Sequence, residues 1–163
     1  MSGPWPDPPS ETWRARLRRW GLNLFPAYRG TGARLTWLAE DWSEVRIRLP
    51  LSWRTRNYVG TIYGGSMYAA VDPIWMVMLI ERLGDEYVVW NKRGAIRFRR
   101  PGRETLCARF VMEDAEVAAI RSALEKVAGS IERSYEVDLV DSEGEPHATV
   151  SMTLHVRGDG GEG

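Results

Sequence analysis

The fold is decided by the stretch Asn57-Tyr58-Val59-Gly60-Thr61-Ile62-Tyr63-Gly64-Gly65 and by the apolar segment that follows it up to Leu83. From Met67 to Ile80 this segment is apolar nearly all round, and Asp72 is the one acidic residue in that run. A helix without a polar face must be wrapped by other structure. The sequence therefore predicts a central helix over about residues 65–83 that is enclosed by the rest of the chain.

The segments around this helix read as half-exposed strands. Apolar and polar residues alternate over 45–49, 96–99, 106–112, 135–139 and 150–156, and Pro101-Gly102 and 141–144 are turn sequences. A peripheral amphipathic helix is predicted over 113–128, with Gly129 at its end. This order predicts an α+β fold, in which a curved antiparallel sheet wraps around the central helix.

A further helix is predicted near the N-terminus, from a cap at Ser10 to about Phe25. Its apolar residues share one helical face, and arginines lie on the other: Trp13, Leu17, Trp20 and Leu24 against Arg14, Arg16, Arg18 and Arg19. Such a basic amphipathic helix can lie on a membrane surface or bind acidic ligands. The interpretation we favour is a helix that covers one edge of the core and keeps its arginines in water.

Length and charge limit the classes of protein that remain. The 163 residues suit one domain, predicted over 11–157, with a proline-rich disordered or extended segment at 1–10 and a flexible tail at 158–163. Lysine plus arginine number 22 and aspartate plus glutamate 22, and sequence-independent nucleic-acid binding usually needs a basic excess. We therefore expect no nucleic-acid partner.

The few cysteine and histidine residues and the hydropathy pattern predict a cytoplasmic protein that binds no metal. Cys107 has no partner for an internal disulfide, and together with His147 and His155 it does not supply a zinc site. Residues 1–9 lack the features of a signal peptide, and the run from Met67 to Ile80 is too short to span a bilayer.

The residues around the start of the central helix suit acyl transfer. An ionised Asp72 inside an apolar helix is costly unless it is paired, hydrogen-bonded or facing a polar cavity. Gly64 and Gly65 allow a ligand to approach backbone N–H groups at the positive end of the helix. Those donors can polarise a carbonyl, while the carboxylate activates water or attacks.

The pattern N-x-x-G-T-x-Y-G-G over 57–65, followed by Asp72, resembles the signature of hotdog thioesterases of the phenylacetyl-CoA thioesterase type. Those proteins have histidine where Tyr63 stands, with an acidic residue nine positions later, which is the position of Asp72. The blocks 89–92 and 96–103 resemble a bacterial branch of that superfamily whose function is largely unassigned. The resemblance extends from about Trp13 to Arg157.

The resemblance implies a five- or six-stranded hotdog domain that pairs edge to edge into a homodimer or a dimer of dimers, with active sites at the interface. It implies hydrolysis of an acyl-CoA or related acyl thioester, with no cofactor beyond the coenzyme A of the substrate. The Gly64 N–H would polarise the thioester carbonyl, Asp72 would act as general base or nucleophile, and Asn57 of the partner subunit would orient water or substrate. Candidate substrate-binding residues are Tyr63, Gly65, Asn91, Arg100 and Arg103, the arginines as ligands of coenzyme A phosphates.

Each assignment has a structural alternative. Asp72-Pro73 is a common helix start, in which Asp72 is only an N-cap, and Pro73 otherwise predicts a kink or restart of the helix. Gly64-Gly65 could be a tight turn, Asn57 a loop cap, Tyr63 a packing residue, and the arginines a solvated face. Tyr63 and Pro73 also favour an alternative function, a non-catalytic acyl- or lipid-binding hotdog module.

Overall fold

The computed structural model describes residues 3–127 and 129–158. The predicted helices and strands occur there in the predicted order, and a short helix and a strand that were not predicted follow the N-terminal helix. The elements are α1 (Trp13–Leu24), α2 (Pro26–Gly30), β1 (Arg34–Leu38), β2 (Glu44–Leu49), α3 (Gly64–Leu83), β3 (Tyr87–Phe98), β4 (Leu106–Val111), α4 (Asp114–Lys126), β5 (Ser130–Val140) and β6 (Pro146–Gly158). Except for Gly158, which ends β6, the predicted tail at 158–163 lies outside the described residues.

The six strands form one antiparallel sheet in the order β1-β2-β4-β5-β6-β3. The edge strands are β1, against which α1 packs, and β3, a strand of 12 residues. The sheet curves around α3, so the predicted α+β class and its central helix are confirmed.

One face of α3 carries most of the core contacts with the sheet. Its buried residues recur at helical spacing: Met67, Ala70, Val71, Ile74, Trp75, Met78, Leu79 and Leu83. The opposite face is only partly covered within this chain, and it includes Asp72, Pro73, Met76 and Val77. The apolar segment is therefore wrapped on one side by its own sheet and half-exposed on the other.

Pro73 does not interrupt α3. The helix begins at Gly64, with Tyr63 as its N-cap, and runs through Pro73 to Leu83. A proline inside a helix removes one backbone donor and crowds the preceding turn. In that turn the Tyr28 hydroxyl donates to the carbonyl of Ala70 at 3.2 Å. A restart of the helix at Pro73, and with it the N-cap interpretation of Asp72, is therefore wrong.

Helix α1 lies against the edge strand but with a different face from the one expected. Its cap is Thr12, whose hydroxyl accepts from the Ala15 N–H, and the contact with β1 uses Asn23, which exchanges two hydrogen bonds with Leu35. The apolar stripe faces away, since Trp13, Leu17, Trp20 and Leu24 are 71, 65, 58 and 64% exposed. Because Ala15 is the buried residue of this helix, the expectation that the apolar stripe covers the core is wrong.

Residues 3–10, predicted as disordered or extended, have no regular secondary structure and lie against the outer face of the sheet. The carbonyl of Pro6 accepts from Arg46 Nη1 at 2.7 Å, and that of Pro9 accepts from Trp37 Nε1 at 2.9 Å.

Candidate active site

The loop before α3 is held by the side chain of Asn57. Its Oδ1 accepts from the N–H groups of Val59 and Thr61, and its Nδ2 donates to the Thr61 hydroxyl at 2.8 Å. Gly60, with φ of +83°, makes the turn that brings these groups together. The Asn57 amide therefore shapes its own loop, as in the loop-cap alternative.

The start of α3 is anchored on two sides. The Tyr63 N–H donates to the carbonyl of Thr55 at 2.7 Å, and the Ile62 N–H donates to that of Gly102 at 2.8 Å. The first N–H groups of a helix have no acceptor within it, so those of Gly64 and Gly65 are the donors this site offers to a ligand.

Both glycines of the pair lie under aromatic rings. A Cβ at Gly64 would lie 2.7 Å from Cζ of Phe98, and one at Gly65 would lie 2.3 Å from Cε1 of Tyr63. Glycine is needed here for close approach, and no special backbone angle is required.

A groove of about 650 Å³ opens at this end of α3. Its walls include Asn57, Tyr63, Gly64, Phe98 and Arg100. Arg100 also forms an ion pair of 2.7 Å with Glu145, and both side chains are about half exposed. Arg103 is exposed on the loop between β3 and β4. Arg103, Gly65, Asp72 and Asn91 do not line this groove.

The floor of the groove is braced from β6 by His147. Its Nδ1 lies 3.1 Å from the carbonyl of Pro101, and its Nε2 lies 3.1 Å from Oδ2 of Asp141. Backbone N–H donation from Glu145 holds the pKa of Asp141 below its usual value, and His147 adds to this effect. These contacts position the wall that carries Arg99 and Arg100, since the carbonyl of His147 accepts from both of their N–H groups.

A second cluster forms on the half-exposed face of α3. Asn91 Nδ2 donates to the carbonyl of Asp72 at 3.0 Å and to its Oδ1 at 3.1 Å. A break in strand register between Asn91 and Arg93 accompanies this contact, and bulges of this kind often re-aim side chains next to active sites. Asn91 Oδ1 is buried and has no hydrogen-bond partner among the described residues, so it can accept a bond from a ligand or water.

Tyr68 completes this carboxylate cluster of Tyr68, Asp72 and Asn91. Burial, the neighbouring Asp72 charge and a hydrogen bond to Asp72 raise the pKa of Tyr68 above its usual value, so the phenol remains a donor at neutral pH. Gly94 makes room for it, because a Cβ there would lie 2.0 Å from the Tyr68 hydroxyl. Tyr68 is not among the site residues predicted from the sequence. Its position one helical turn before Asp72 is the signal that could have identified it.

Within one chain the two parts lie far apart. Gly64 and Asp72 are eight residues apart on the same helix, which is about 12 Å along its axis. One thioester group cannot contact both in a single subunit. The chain thus carries two half-sites, the groove at the start of α3 and the carboxylate cluster two turns further on.

An apolar cavity of about 180 Å³ adjoins the carboxylate cluster between α2 and α3. Phe25, Tyr28, Pro73 and Val77 are among its walls, and Pro73 follows Asp72 directly. Such a cavity suits a short apolar group.

The described residues hold no group of three or more histidine, cysteine, aspartate or glutamate side chains able to bind a metal ion. Cys107 is buried, and burial raises the pKa of its thiol, which disfavours the reactive thiolate. Among the described residues, no helix is long and apolar enough to cross a membrane.

Solved structures share this architecture across nearly the whole chain. A protein from Pseudomonas aeruginosa, described as of unknown function and a probable thioesterase, is 21% identical with a TM-score of 0.79 over 96% of this chain and 99% of its own. A protein of unknown function from Chlorobaculum tepidum is 14% identical with a TM-score of 0.70, over 88% of this chain and 93% of its own. A thioesterase from Haemophilus influenzae is 16% identical with a TM-score of 0.66, over 91% of this chain and 93% of its own.

These likenesses define the class of fold: the chain has the hotdog fold of thioesterase-like proteins, as the resemblance implied. Residues 14–156 match the model of the family described as "Domain of unknown function (DUF4442)", and the chain belongs to that family. No curated protein matches the chain.

Proposed function

We propose that the chain is a thioesterase that hydrolyses an acyl-CoA or a related acyl thioester at two sites between the subunits of a homodimer. The observation that carries this proposal is the position of Asp72. It lies in the middle of an uninterrupted apolar helix, where it caps nothing, and its carboxylate is held by the Asn91 amide. The Oδ1 of Asn91 is buried and has no hydrogen-bond partner among the described residues, and an unsatisfied polar atom beside a carboxylate favours a function for the pair.

The half-sites favour an assembly of two chains. Because Gly64 and Asp72 are about 12 Å apart along one helix, a two-fold axis beside α3 is needed to bring Asp72 of one subunit to Gly64 of the partner subunit. The half-exposed face of α3 and the unpaired edge of β3 are the surfaces that such a dimer would cover.

The chemistry follows from the donors and the carboxylate. The N–H of Gly64 would polarise the thioester carbonyl and stabilise the negative charge that forms on its oxygen. As a general base, Asp72 would take a proton from water while the water oxygen bonds to the carbonyl carbon. The C–S bond then breaks, the thiolate leaves, and the proton passes to sulfur. As a nucleophile, Asp72 would instead bond to the carbonyl carbon while the C–S bond breaks and the thiolate leaves. Water would then cleave the resulting anhydride into the acid product and the free Asp72 carboxylate, and a proton released by that water would pass to the thiolate.

Substrate features follow from the walls of the two half-sites. The cavity beside Pro73 would hold the acyl group, because its walls are apolar. Arg100 at the groove would bind a phosphate of coenzyme A, in exchange for its exposed partner Glu145. Tyr63, 59% exposed at the mouth of α3, would contact the thioester end of the substrate.

The first experiment is a hydrolysis screen of acyl-CoA substrates with straight chains of increasing length and with aryl groups, which follows release of the free thiol. We expect turnover without added metal and a preference for short acyl groups. After a single turnover in water enriched in oxygen-18, label in the Asp72 carboxylate would identify the nucleophilic route, in which water opens the anhydride at the aspartyl carbon.

The second experiment tests the shared site by complementation. Gly64→Pro removes the N–H at the first helical position, where proline is tolerated, and the extended Tyr63 suits a following proline. Phe98→Ala is added to make room for the ring, and Phe98→Ala alone is the control. This double variant and Asp72→Asn should each be inactive, while their mixed dimer should regain one of its two sites. Mixed dimers that form and remain inactive would refute the shared site.

The alternative function is a non-catalytic acyl-binding module, and two observations favour it. The Asn57 side chain is engaged within its own loop, and a phenol replaces the histidine of the related pattern. That function predicts saturable acyl-CoA binding without thiol release, and Asp72→Asn should then leave the affinity nearly unchanged.

A further inference from the structure

The outward face of α1 carries a continuous apolar stripe. Trp13, Leu17, Trp20 and Leu24 lie within one narrow sector of the helix, and each is more than half exposed. Phe25 follows at the end of the helix and is 59% exposed. Single exposed apolar residues are normal, but a stripe of two tryptophans, two leucines and a phenylalanine along a 12-residue helix is a surface that needs a partner.

The surroundings of this stripe are strongly basic. Residues 12–39 contain six arginines and no acidic residue, although the whole chain has no net charge. Two acidic side chains just outside this range form ion pairs with arginines of α1. Glu11 pairs with Arg19 at 2.8 Å, and Glu40 lies 4.0 Å from Arg14. Arg16 is exposed and flanks the stripe from within the helix. A local excess of positive charge therefore lies next to the exposed apolar stripe of α1.

A groove of about 780 Å³ opens beside the stripe and is lined by arginines. Trp20 and Leu24 form one wall, and the other walls carry Arg19, Arg29, Arg34 and Arg48. Arg48 Nε is buried and has no hydrogen-bond partner among the described residues. An anion with several oxygen acceptors would satisfy that donor and the charge of the groove.

We propose that α1 is an interfacial helix that binds an anionic phospholipid surface, with its apolar stripe among the acyl chains and the arginine groove on the headgroup phosphates. Helices of this kind have tryptophan and leucine on one face and arginine on the other, and they lie in the plane of the interface. Apolar contact and charge complementarity are both present on this face. The four apolar side chains of the stripe are already more than half exposed, so binding requires no rearrangement of the fold.

Charge argues against a second copy of this chain as the occupant of the stripe. A two-fold contact through α1 would bring two identical surfaces together, each with six arginines, and like charges would face one another. Lipid phosphates supply the opposite charge instead. Phe25 also lines the apolar cavity beside Pro73, but Trp20 and Arg16 line neither that cavity nor the groove at the start of α3. Loss of lipid binding in variants of Trp20 or Arg16 and loss of thioester hydrolysis are therefore separate outcomes.

The test is flotation of the full chain with vesicles of phosphatidylcholine alone and of phosphatidylcholine with about a third phosphatidylglycerol. We expect binding to the anionic vesicles, at least tenfold weaker binding to the neutral ones, and loss of binding as salt screens the arginines. Trp20→Glu places a charge in the stripe and should weaken binding at least tenfold. Arg16→Glu should weaken it at least fivefold, since each basic residue near an anionic surface contributes about that factor.

Tyr58→Glu is the matched control, because it places the same charge at a fully exposed aromatic residue outside α1. It should float as the wild type does. Equal binding to both vesicle types, or no binding to either, would overturn the proposal. Circular dichroism checks that Trp20→Glu is folded. If this folded variant floats as the wild type does but no longer forms an oligomer in sedimentation, a second chain covers the stripe and the proposal is overturned.

Discussion

Asp72→Asn separates a catalytic carboxylate from a structural one. Asparagine keeps the Oδ1 acceptor that Asn91 Nδ2 reaches at 3.1 Å, and the bond of 3.0 Å to the backbone carbonyl is untouched. A hydrogen bond to a charged group contributes ~1.5–3 kcal/mol and a neutral one ~0.5–1.5 kcal/mol, so the expected loss is about 1 kcal/mol. In a chain of this size that lowers Tm by about 2–4 °C.

The effect on turnover should be much larger. Loss of a general base lowers kcat by roughly a hundredfold or more, which corresponds to ~2.7 kcal/mol in the activation barrier. The assay is release of free thiol from the best acyl-CoA of the screen, with Tm measured on the same preparation. Glu81→Gln is the control, because it removes an exposed carboxylate from the same helix and should change neither quantity. Turnover of Asp72→Asn within twofold of the wild type, at an intact Tm, would refute the catalytic role.

Three further predictions concern other parts of the molecule. Tyr63→Phe should lower kcat/KM by about fivefold if the hydroxyl contacts substrate, and Tyr63→His should be tolerated. If Tyr63→His fails to fold while Tyr63→Phe keeps the activity of the wild type, Tyr63 is a packing residue. Val77→Phe should fill the apolar cavity and shift the acyl preference to shorter chains in the same screen, and an unchanged chain-length profile would place the acyl group elsewhere. The hydrogen bond from Arg109, with help from Arg46, holds the pKa of Glu44 below its usual value. The stabilisation from Glu44 is therefore complete above the unfolded pKa of ~4.3 and is lost as the pH falls through the lowered folded value. Urea unfolding at pH 7 and pH 3.5 should show a smaller acid loss of stability in Glu44→Gln than in the wild type, and equal losses would contradict this.

The pattern of the sequence was sufficient for the fold class because the decisive signals are local. The apolar run after Gly65 predicts a helix in the core, although the sheet of this chain encloses only one side of it. Period-two alternation in segments such as 150–156 marks half-buried strands wherever they lie. The resemblance to hotdog thioesterases could also be found in the sequence, because the motif from Asn57 to Asp72 that carries it is local.

Other features depended on contacts between distant segments. From the sequence, Asp72 could be either an N-cap or a carboxylate within a helix, since Asp-Pro begins many helices. In the structure α3 begins at Gly64, where the Tyr63 N–H donates to the Thr55 carbonyl, so Asp72 lies within the helix. The pairing of Asn91 with Asp72 joins residues 19 positions apart, through a strand bulge that no periodicity announces.

The N-terminal helix shows most clearly what the sequence by itself determined and what only the tertiary structure decided. Helical spacing of Trp13, Leu17, Trp20 and Leu24 determined that one face is apolar, and the caps and propensities determined that a helix forms. Which face meets the sheet depended on the hydrogen bonds of Asn23 with Leu35, beside the apolar stripe and not within it. Amphipathicity shows that one face of a helix is apolar and is stabilised by burial. Only the packing of the remaining chain decides whether that face is buried within the same molecule.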